Sequence, residues 1–354
     1  MSHRIFIINP GSSSVKAALY EDGGEVWSST IRPPADMFAP DSTVYSRVDT
    51  YYEMITQTAM DKGLDFKSLD AIAVRGGFCK PLKGGTYTIN DALLDDLKHA
   101  RYGEHTSNVG PFCALRLEKE HGVRAYYTNP VSVDEFMELS YITGVPSVRR
   151  RSTFHALNHK AVAGYAAKSL GKKYEEANLI VAHLGGGISI AAHKMGRVVD
   201  ATSPANEGPM SIDRPGDMPN LTVIDMCFNS GLNYEQILRL FETSSGISAY
   251  TGGIKDLIKI EEMALEDQSI ALALDTMSYR IAFWICGMAA ALGTKPDAIV
   301  LTGGMARSDW VVPKVTNRIE FLAPVMVIKG EFEMEALYEG AVRVLTGEEQ
   351  ALEY

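Results

Sequence analysis

Asn9, Gly11, Ser12, Ser13, Ser14 and Lys16 bring an amide, three hydroxyls and an ammonium close together in sequence. Successive hydroxyls and backbone N–H groups in a tight turn can face one anion. Gly11 lets the backbone come close to it, and Lys16 adds a positive charge. The runs on either side, Arg4–Ile8 and Val15–Tyr20, are mostly apolar and β-branched and read as two buried strands. The residue types leave two readings open: a cradle for a nucleotide's phosphates, or an ordinary hairpin with a serine-rich loop.

The same pattern returns later in the chain. The apolar run from Asn178 carries His183 near its end, then Gly185, Gly186 and Gly187, then a strand to His193. A turn at Lys194–Met195–Gly196 leads into a third strand, Arg197–Ala201, as Glu21–Gly24 leads into Glu25–Ile31. Superposed, Asn9 falls on His183. An internal repeat of this kind predicts two similar halves, each with a phosphate-facing turn, set against each other across a cleft.

Three further groups could do chemistry. Arg214 lies in a long loop, 203–220, rich in Pro, Gly and Asp. Its guanidinium could clamp a phosphoryl or carboxylate group through two parallel hydrogen bonds, or form a local salt bridge with Asp213 or Asp217. His155 and His159 stand at i and i+4 on one helix, as metal ligands would, but Ala156 replaces the Glu of HExxH and no third ligand is evident. Gly303 and Gly304 follow a short strand, Ala298–Leu301. Neither GxxxxGK[ST] nor GxGxxG occurs, which removes the P-loop and dinucleotide-binding readings. No Ser-His-Asp or Cys-His pattern is apparent.

The elements that must position these residues follow from length and pattern. With 354 residues, 46% of them hydrophobic, two domains are expected. Helices are predicted at 51–63, 93–102, 112–121, 155–170, 234–241, 256–266, 270–292 and 334–345, and strands at 71–74 and 124–128. Pro146–Arg151 reads as a linker, dividing the chain into domains at 1–150 and 151–337. A net charge of −10 and a pI of about 5.4 argue against a nucleic-acid partner. The cysteines Cys79, Cys113, Cys227 and Cys286 form no CxxC pair and read as buried free thiols of a reducing compartment. The longest strongly apolar run, Ile281–Leu292, is short for a membrane span. A cytoplasmic protein with no membrane partner is expected.

Five motifs in order carry a resemblance: INPGSSSVK from Ile8, FHALNHK from Phe154, AHLGGG from Ala182, EGPMSIDRPGD from Glu207 and LTGGMAR from Leu301. Across its whole length the chain resembles the acetate and butyrate kinases of the acetate and sugar kinase/Hsp70/actin fold superfamily. FHALN in place of FHGTS, HLGGG in place of HLGNG, and the Arg75–Gly76–Gly77 form are closer to the butyrate kinases. The resemblance implies an α/β protein of two repeated ribonuclease H-like (actin-like ATPase) domains. Each is built on a mixed sheet with helices on both faces, and a C-terminal helix at 338–354 packs back on the first.

It also implies an activity. ATP would phosphorylate a short-chain fatty acid by direct in-line transfer: butanoate + ATP gives butanoyl phosphate + ADP, with Mg²⁺. Acetate, propionate or a branched-chain acid is the alternative substrate, and a non-enzymatic nucleotide-dependent binding module is the rival. Such a transfer needs positioning and positive charge more than covalent help, and a carboxylate nucleophile needs no general base. By resemblance Arg214, His183 and His155 are catalytic. Asn9, Ser12, Ser14, Lys16, Gly185, Gly186, Gly187, Gly303 and Gly304 hold phosphates and nucleotide. Arg75, His105, Val74 and Phe154 meet the acid, with Pro204 and Glu104 as further wall positions. Asn9, Glu333, Glu335 and Asp134 are the candidate metal contacts. The expected partners are small molecules and, as a homodimer or higher homo-oligomer, further copies of the chain.

Overall fold

The computed structural model describes all residues except Met1, Ser12, Ser13, Ala35, Pro40 and Asp41. Its chain divides into two compact units, Met1–Asp134 with Phe332–Tyr354, and Glu135–Glu331.

The first unit opens with an antiparallel meander, β1 (Arg4–Pro10), β2 (Val15–Glu21) and β3 (Gly24–Ile31). Helix α1 (Val48–Asp61) leads to β4 (Ala71–Val74), which lies parallel to β1. Then follow β5 (Thr86–Thr88), α2 (Asp91–Lys98), α3 (Val109–His121) and β6 (Ala125–Thr128). The six-stranded sheet has the order β3-β2-β1-β4-β6-β5. Ile5–Ile8 and all of β4 are buried, so both faces of the sheet centre are covered, which is why these strands read as unbroken apolar runs.

The second unit starts with α4 (Glu138–Tyr141) and α5 (Ala156–Ser169). Its meander is β7 (Asn178–Leu184), β8 (Ile188–Lys194) and β9 (Arg197–Ala201). Helices α6 (Asn220–Asn229), α7 (Tyr234–Glu242), α8 (Ile247–Tyr250), α9 (Leu257–Ala264) and α10 (Gln268–Leu292) follow. Strand β10 (Ala298–Gly303), α11 (Val311–Ile319) and β11 (Val325–Lys329) complete it. The sheet order is β11-β10-β7-β8-β9, with β10 parallel to β7 as β4 is to β1. The repeat extends to detail: the register shifts after the fifth residue of β2, between Leu19 and Tyr20, and after the fifth of β8, between Ala192 and His193.

Helix α10 is long and apolar enough to cross a membrane, but a stripe at i, i+3, i+4 spacing, including Ile270, Leu274, Met277, Ile281 and Ile285, is buried in this unit's core. Asp267 caps its start by accepting from the Ser269 N–H, and Gly293 ends it in the left-handed region at φ 63°.

Four expectations need correction. Pro146–Arg151 is no free linker: Arg150 Nη2 donates to Glu207 at 2.7 Å and its Nη1 to Asp200 at 2.9 Å, inside the second unit. Residues from 135 belong there too, because the Met137 N–H donates to Val199 O and Lys160 holds Glu135. The C-terminal helix, α12 (Glu333–Leu345), starts before the 338–354 span expected for it and ends within it. The tail beyond it runs beside β5, where the Leu352 N–H donates to Thr86 O at 2.8 Å. Helix α12 belongs to the first unit and packs on β1, β4 and β6; Gly340 lets it approach, since a Cβ there would meet Thr128 at 2.8 Å. Finally, Cys227 is exposed and Cys286 partly so; Cys79 and Cys113 are buried.

Candidate active site

Two clusters of the expected residues assemble, one in each unit. In the first unit Asn9 stands at the end of β1 with Lys16 directly across the ladder, so the two side chains share a face. The turn between them is closed by the Gly11 N–H donating to Ser14 O at 2.8 Å. Ser12 and Ser13 lie outside the described residues. Parallel pairing sets β4 beside β1, and the Arg75 N–H donates to Ile8 O at 3.0 Å. The side chains of Asn9 and Arg75 meet on one atom: Glu333 Oε2 accepts from Asn9 Nδ2 at 3.0 Å and from Arg75 Nη1 at 2.9 Å. Glu333 is buried in the first turn of α12, where the helix dipole favours a carboxylate. Asn9 Oδ1 is buried without a hydrogen-bond partner.

Sequence left Glu333 and Glu335 undecided, and the geometry separates them. Glu335 sits against the Tyr20 hydroxyl instead of Asn9. Asp134 closes the first unit, its N–H donating to Leu82 O at 2.7 Å, in a different segment from β1 and α12. An unpartnered amide oxygen and a buried carboxylate are hard oxygen donors, and they fit a divalent cation that keeps most of its water.

Arg75 is followed by glycines for a steric reason. A Cβ at Gly76 would come 1.7 Å from the Tyr127 ring, and one at Gly77 would come 1.9 Å from Asn108 Oδ1. Val74, just before, is fully buried. His105 caps a short 3₁₀ turn: its Nδ1 accepts from the Ser107 N–H at 3.1 Å, so its hydrogen sits on Nε2. The Glu104 carboxylate accepts from the Val44 N–H at 2.7 Å, which ties it to the loop before α1.

In the second unit the glycines after His183 sort into distinct roles. A Cβ at Gly185 would meet His183 Nε2 at 2.8 Å; one at Gly187 would meet Arg214 Nη1 at 2.0 Å and Pro204 at 3.2 Å. Gly186 faces open space. Gly303, at φ 93°, is pressed on the end of β7, a Cβ there lying 2.5 Å from Leu184 O, whereas Gly304 is open.

Loop 203–220 is ordered by its own backbone and by α8. The Ser211 N–H donates to Arg214 O at 3.0 Å, and the Ile247 N–H donates to Ser211 O at 3.0 Å. The local salt bridges considered for Arg214 do not form. Asp213 pairs with Lys255 at 3.2 Å, and Asp217 with Arg280 at 3.1 Å. Arg214 Nε donates to Glu242 O at 3.3 Å, and no carboxylate pairs with the guanidinium among the described residues. The guanidinium therefore keeps donors that could meet an anion.

The histidines form one buried system. The His155 and His183 rings stack at 4.0 Å, inclined by 18°. Asn158 Nδ2 lies 2.8 Å from His183 Nδ1 and donates to it, which leaves the hydrogen on His183 Nε2, 3.8 Å from Glu331. Ser189 Oγ touches both His155 Nδ1, at 2.7 Å, and His159 Nε2, at 2.8 Å. From His159 the chain continues through His193 Nε2, at 3.3 Å, to the Tyr174 hydroxyl, 2.8 Å from His193 Nδ1. Burial pushes His159 well below the usual histidine range and His193 down to about 3, so both rings stay neutral. The buried Phe154 ring stands edge-on to His159 at 5.2 Å. His159 thus belongs to this network and not to a metal pair; among the described residues no three His, Cys, Asp or Glu side chains could hold a metal together. Sequence reasoning missed Ser189, His193, Asn158 and Tyr174. The available signal was two polar residues, Ser189 and His193, spaced by four on a strand apolar between them and therefore on one face.

A mixed-sheet repeat with a turn of small residues after each first strand, and an uncommitted arginine beside one of them, defines a phosphoryl-handling α/β protein. A sequence model of the Acetokinase family matches residues 141–336. Butyrate kinase 1 of Clostridium acetobutylicum is 39% identical over 99% of both chains, and butyrate kinase 2 of the same organism is 37% identical over the full length of both. The chain belongs to the acetokinase family. Its fold is that of the Porphyromonas gingivalis acetate kinase structure (TM-score 0.80, 21% identity, 97% of this chain and 100% of that one). A propionate kinase from Francisella tularensis subsp. tularensis shares it (TM-score 0.76, 19% identity, 96% and 98%). The expected fold, two repeated α/β units each built on a mixed sheet, is therefore present.

Proposed function

We propose that this protein transfers the γ-phosphoryl group of ATP to a short-chain fatty acid, in its specific form butanoate + ATP giving butanoyl phosphate + ADP. Full-length similarity to butyrate kinases supports the reaction class. The observation in the site that carries the reading is Arg214, held against Gly187 without a carboxylate partner. A transferring phosphoryl group spreads negative charge over its outer oxygens, and a fixed guanidinium stabilises that charge without reorganising.

The remaining roles follow from donor chemistry. His155 and His183 direct ring N–H groups at phosphoryl oxygens. Lys16, Ser12, Ser14 and the backbone of Gly185, Gly186 and Gly187 bind the phosphates, and Gly303 and Gly304 give the adenosine room. Arg75 and His105 hold the acid's carboxylate; Arg75 spends one of its five N–H donors on Glu333 and keeps the others. Val74 and Phe154 meet the acyl chain. Asn9 and Glu333 would hold Mg²⁺ with its water, and bound there the ion would neutralise phosphate charge. The acid's own carboxylate oxygen is the nucleophile, so no residue need take a proton from it. Cytoplasmic location and self-association are part of the same proposal. Leu221, Ile224 and Phe228, one apolar face of α6 left exposed, favour the association.

The test is acyl phosphate capture. With butyrate, MgATP and hydroxylamine, butanoyl hydroxamate should accumulate in step with ADP. ADP without hydroxamate, for every acid from two to five carbons, would overturn the reading.

A further inference from the structure

The chain Tyr174–His193–His159–Ser189–His155 is a continuous line of hydrogen bonds that begins away from the phosphate-facing turn and ends on His155. Its interior is closed to bulk solvent: His159, His193 and Ser189 are fully buried. Each neutral imidazole in it must donate from one nitrogen and accept at the other. The direction of the first bond therefore dictates all the rest. If Tyr174 donates to His193 Nδ1, then His193 Nε2–H donates to His159 Nδ1, and His159 Nε2–H donates to Ser189 Oγ. The Ser189 hydroxyl then donates to His155 Nδ1, and the His155 hydrogen is left on Nε2. If the first bond is reversed, every hydrogen moves and His155 carries its hydrogen on Nδ1.

The structure decides between the two. His193 Nδ1 is the hydrogen-bonding partner of the Tyr174 hydroxyl among the described residues, and burial beside Glu135 and Glu175 keeps that hydroxyl protonated. Only the forward direction gives its O–H an acceptor in the protein. The His155 N–H, 3.5 Å from Ser189 Oγ, can donate to it in either direction and does not bear on the choice.

We propose that Tyr174 and His193 are positioning residues that fix His155 in the Nε2–H tautomer, through Ser189 and His159. This matches the stacked His183, whose hydrogen also sits on Nε2. Two parallel rings then present two N–H donors. In the other tautomer His155 would aim a lone pair at an anion, which repels it. The tautomer assignment is independent of the reaction; its effect on rate rests on the acyl-kinase reading above.

The experiment is long-range ¹H–¹⁵N correlation spectroscopy of the full-length protein labelled at histidine, which distinguishes the two ring tautomers. His155 should be the Nε2–H form in the wild type. Tyr174→Phe keeps the ring and removes the O–H, and His155 should then show the Nδ1–H form or a mixture. Ser189→Ala cuts the chain next to His155 and should do the same, so the proposal stays testable if one variant folds poorly. In Tyr174→Phe, kcat should fall by about 10-fold, short of the ~100-fold that losing an oriented donor costs, with both KM values within about 2-fold. A wild-type Nδ1–H His155, or an Nε2–H His155 unchanged in both variants, overturns the proposal. If the protein makes no acyl phosphate at all, the spectra still decide the tautomer, and only the functional reading is lost.

Discussion

Arg214 lies so close to Gly187 that only glycine fits there: a Cβ on residue 187 would come 2.0 Å from the Arg214 Nη1 atom. The glycine proposed to let the turn after β7 approach phosphate is also the glycine that leaves room for the guanidinium. Arg214→Ala should lower kcat at least ~100-fold, about 3 kcal/mol of lost charge stabilisation. Gly187→Ala, which leaves the arginine but displaces it, should lower kcat by about 10-fold. Nucleotide Kd, from calorimetry, should change far less in both. An Arg214→Ala enzyme with more than half the wild-type kcat would remove the arginine from the mechanism.

Glu333 joins Asn9 and Arg75, while Glu335, two residues on, turns to Tyr20. Glu333→Gln and Asn9→Ala should each raise the Mg²⁺ concentration for half-maximal activity by about 10-fold or more, the scale of losing a group that holds or orients a metal. Glu335→Gln should leave it unchanged. A metal titration in which Glu335→Gln shifts the requirement as far as Glu333→Gln would show that the wrong carboxylate has been chosen.

Burial of His193 and His159 makes stability depend on pH in a definite direction. Both have folded pKa values depressed from an ordinary 6.5, His193 to about 3. The unfolded chain therefore takes up protons below about pH 6.5 that the folded chain refuses. Their contribution is complete above that pH and is lost as pH falls from 6.5 toward 3. Each such histidine contributes a slope of up to about 1.4 kcal/mol per pH unit in that window. Urea midpoints measured from pH 7 to pH 5 should fall. His193→Gln should be less stable at pH 7 and show a shallower fall, and an equal slope in the two proteins would contradict the buried neutral ring.

How much of this was legible in sequence depends on how local the cause is. The repeat could be read because Asn9 and His183 each sit at the end of an apolar strand before small residues, and that pattern is contained in about twenty residues. The strand β5 could not, since Thr86–Thr88 is three residues long and is held by β6 and by the C-terminal tail. Helix α6 was not predicted: it begins where the loop 203–220 ends, none of its residues is buried, and its apolar row faces outward instead of into a core. The boundary near residue 134 is invisible locally: Glu135 and Met137 join the second unit through Lys160 and Val199, partners far along the chain. At the site, the residue types of Arg214 and His155 suggested their chemistry. Which carboxylate meets Asn9, and that His159 is a relay between two other polar groups, are facts of tertiary placement.

The remaining question is which acid the site prefers. Val74 is fully buried at the end of β4 and Phe154 is buried against His159, so each is held in a fixed place in its own unit. The one charged residue among the proposed wall positions, Glu104, has its carboxylate bound to the Val44 N–H and so is not available to an acyl chain. Each methylene that fits apolar surroundings contributes about 0.8 kcal/mol. Butyrate has two more than acetate, which gives roughly 1.6 kcal/mol, or about 15-fold in kcat/KM. A wall closed against the chain would reverse the order, because overlap costs more than a methylene gains. The expectation is that butyrate exceeds acetate by at least ~10-fold at saturating MgATP, with valerate or isobutyrate accepted to some degree. Enlarging the wall side chain with Val74→Phe should depress butyrate more than acetate and so narrow the ratio. The measurement is kcat/KM for acetate, propionate, butyrate and valerate with both proteins. If acetate is the best substrate of the wild type, the assignment to butyrate fails while phosphoryl transfer to a carboxylate stands. If Val74→Phe lowers all four acids equally, residue 74 does not touch the acyl chain.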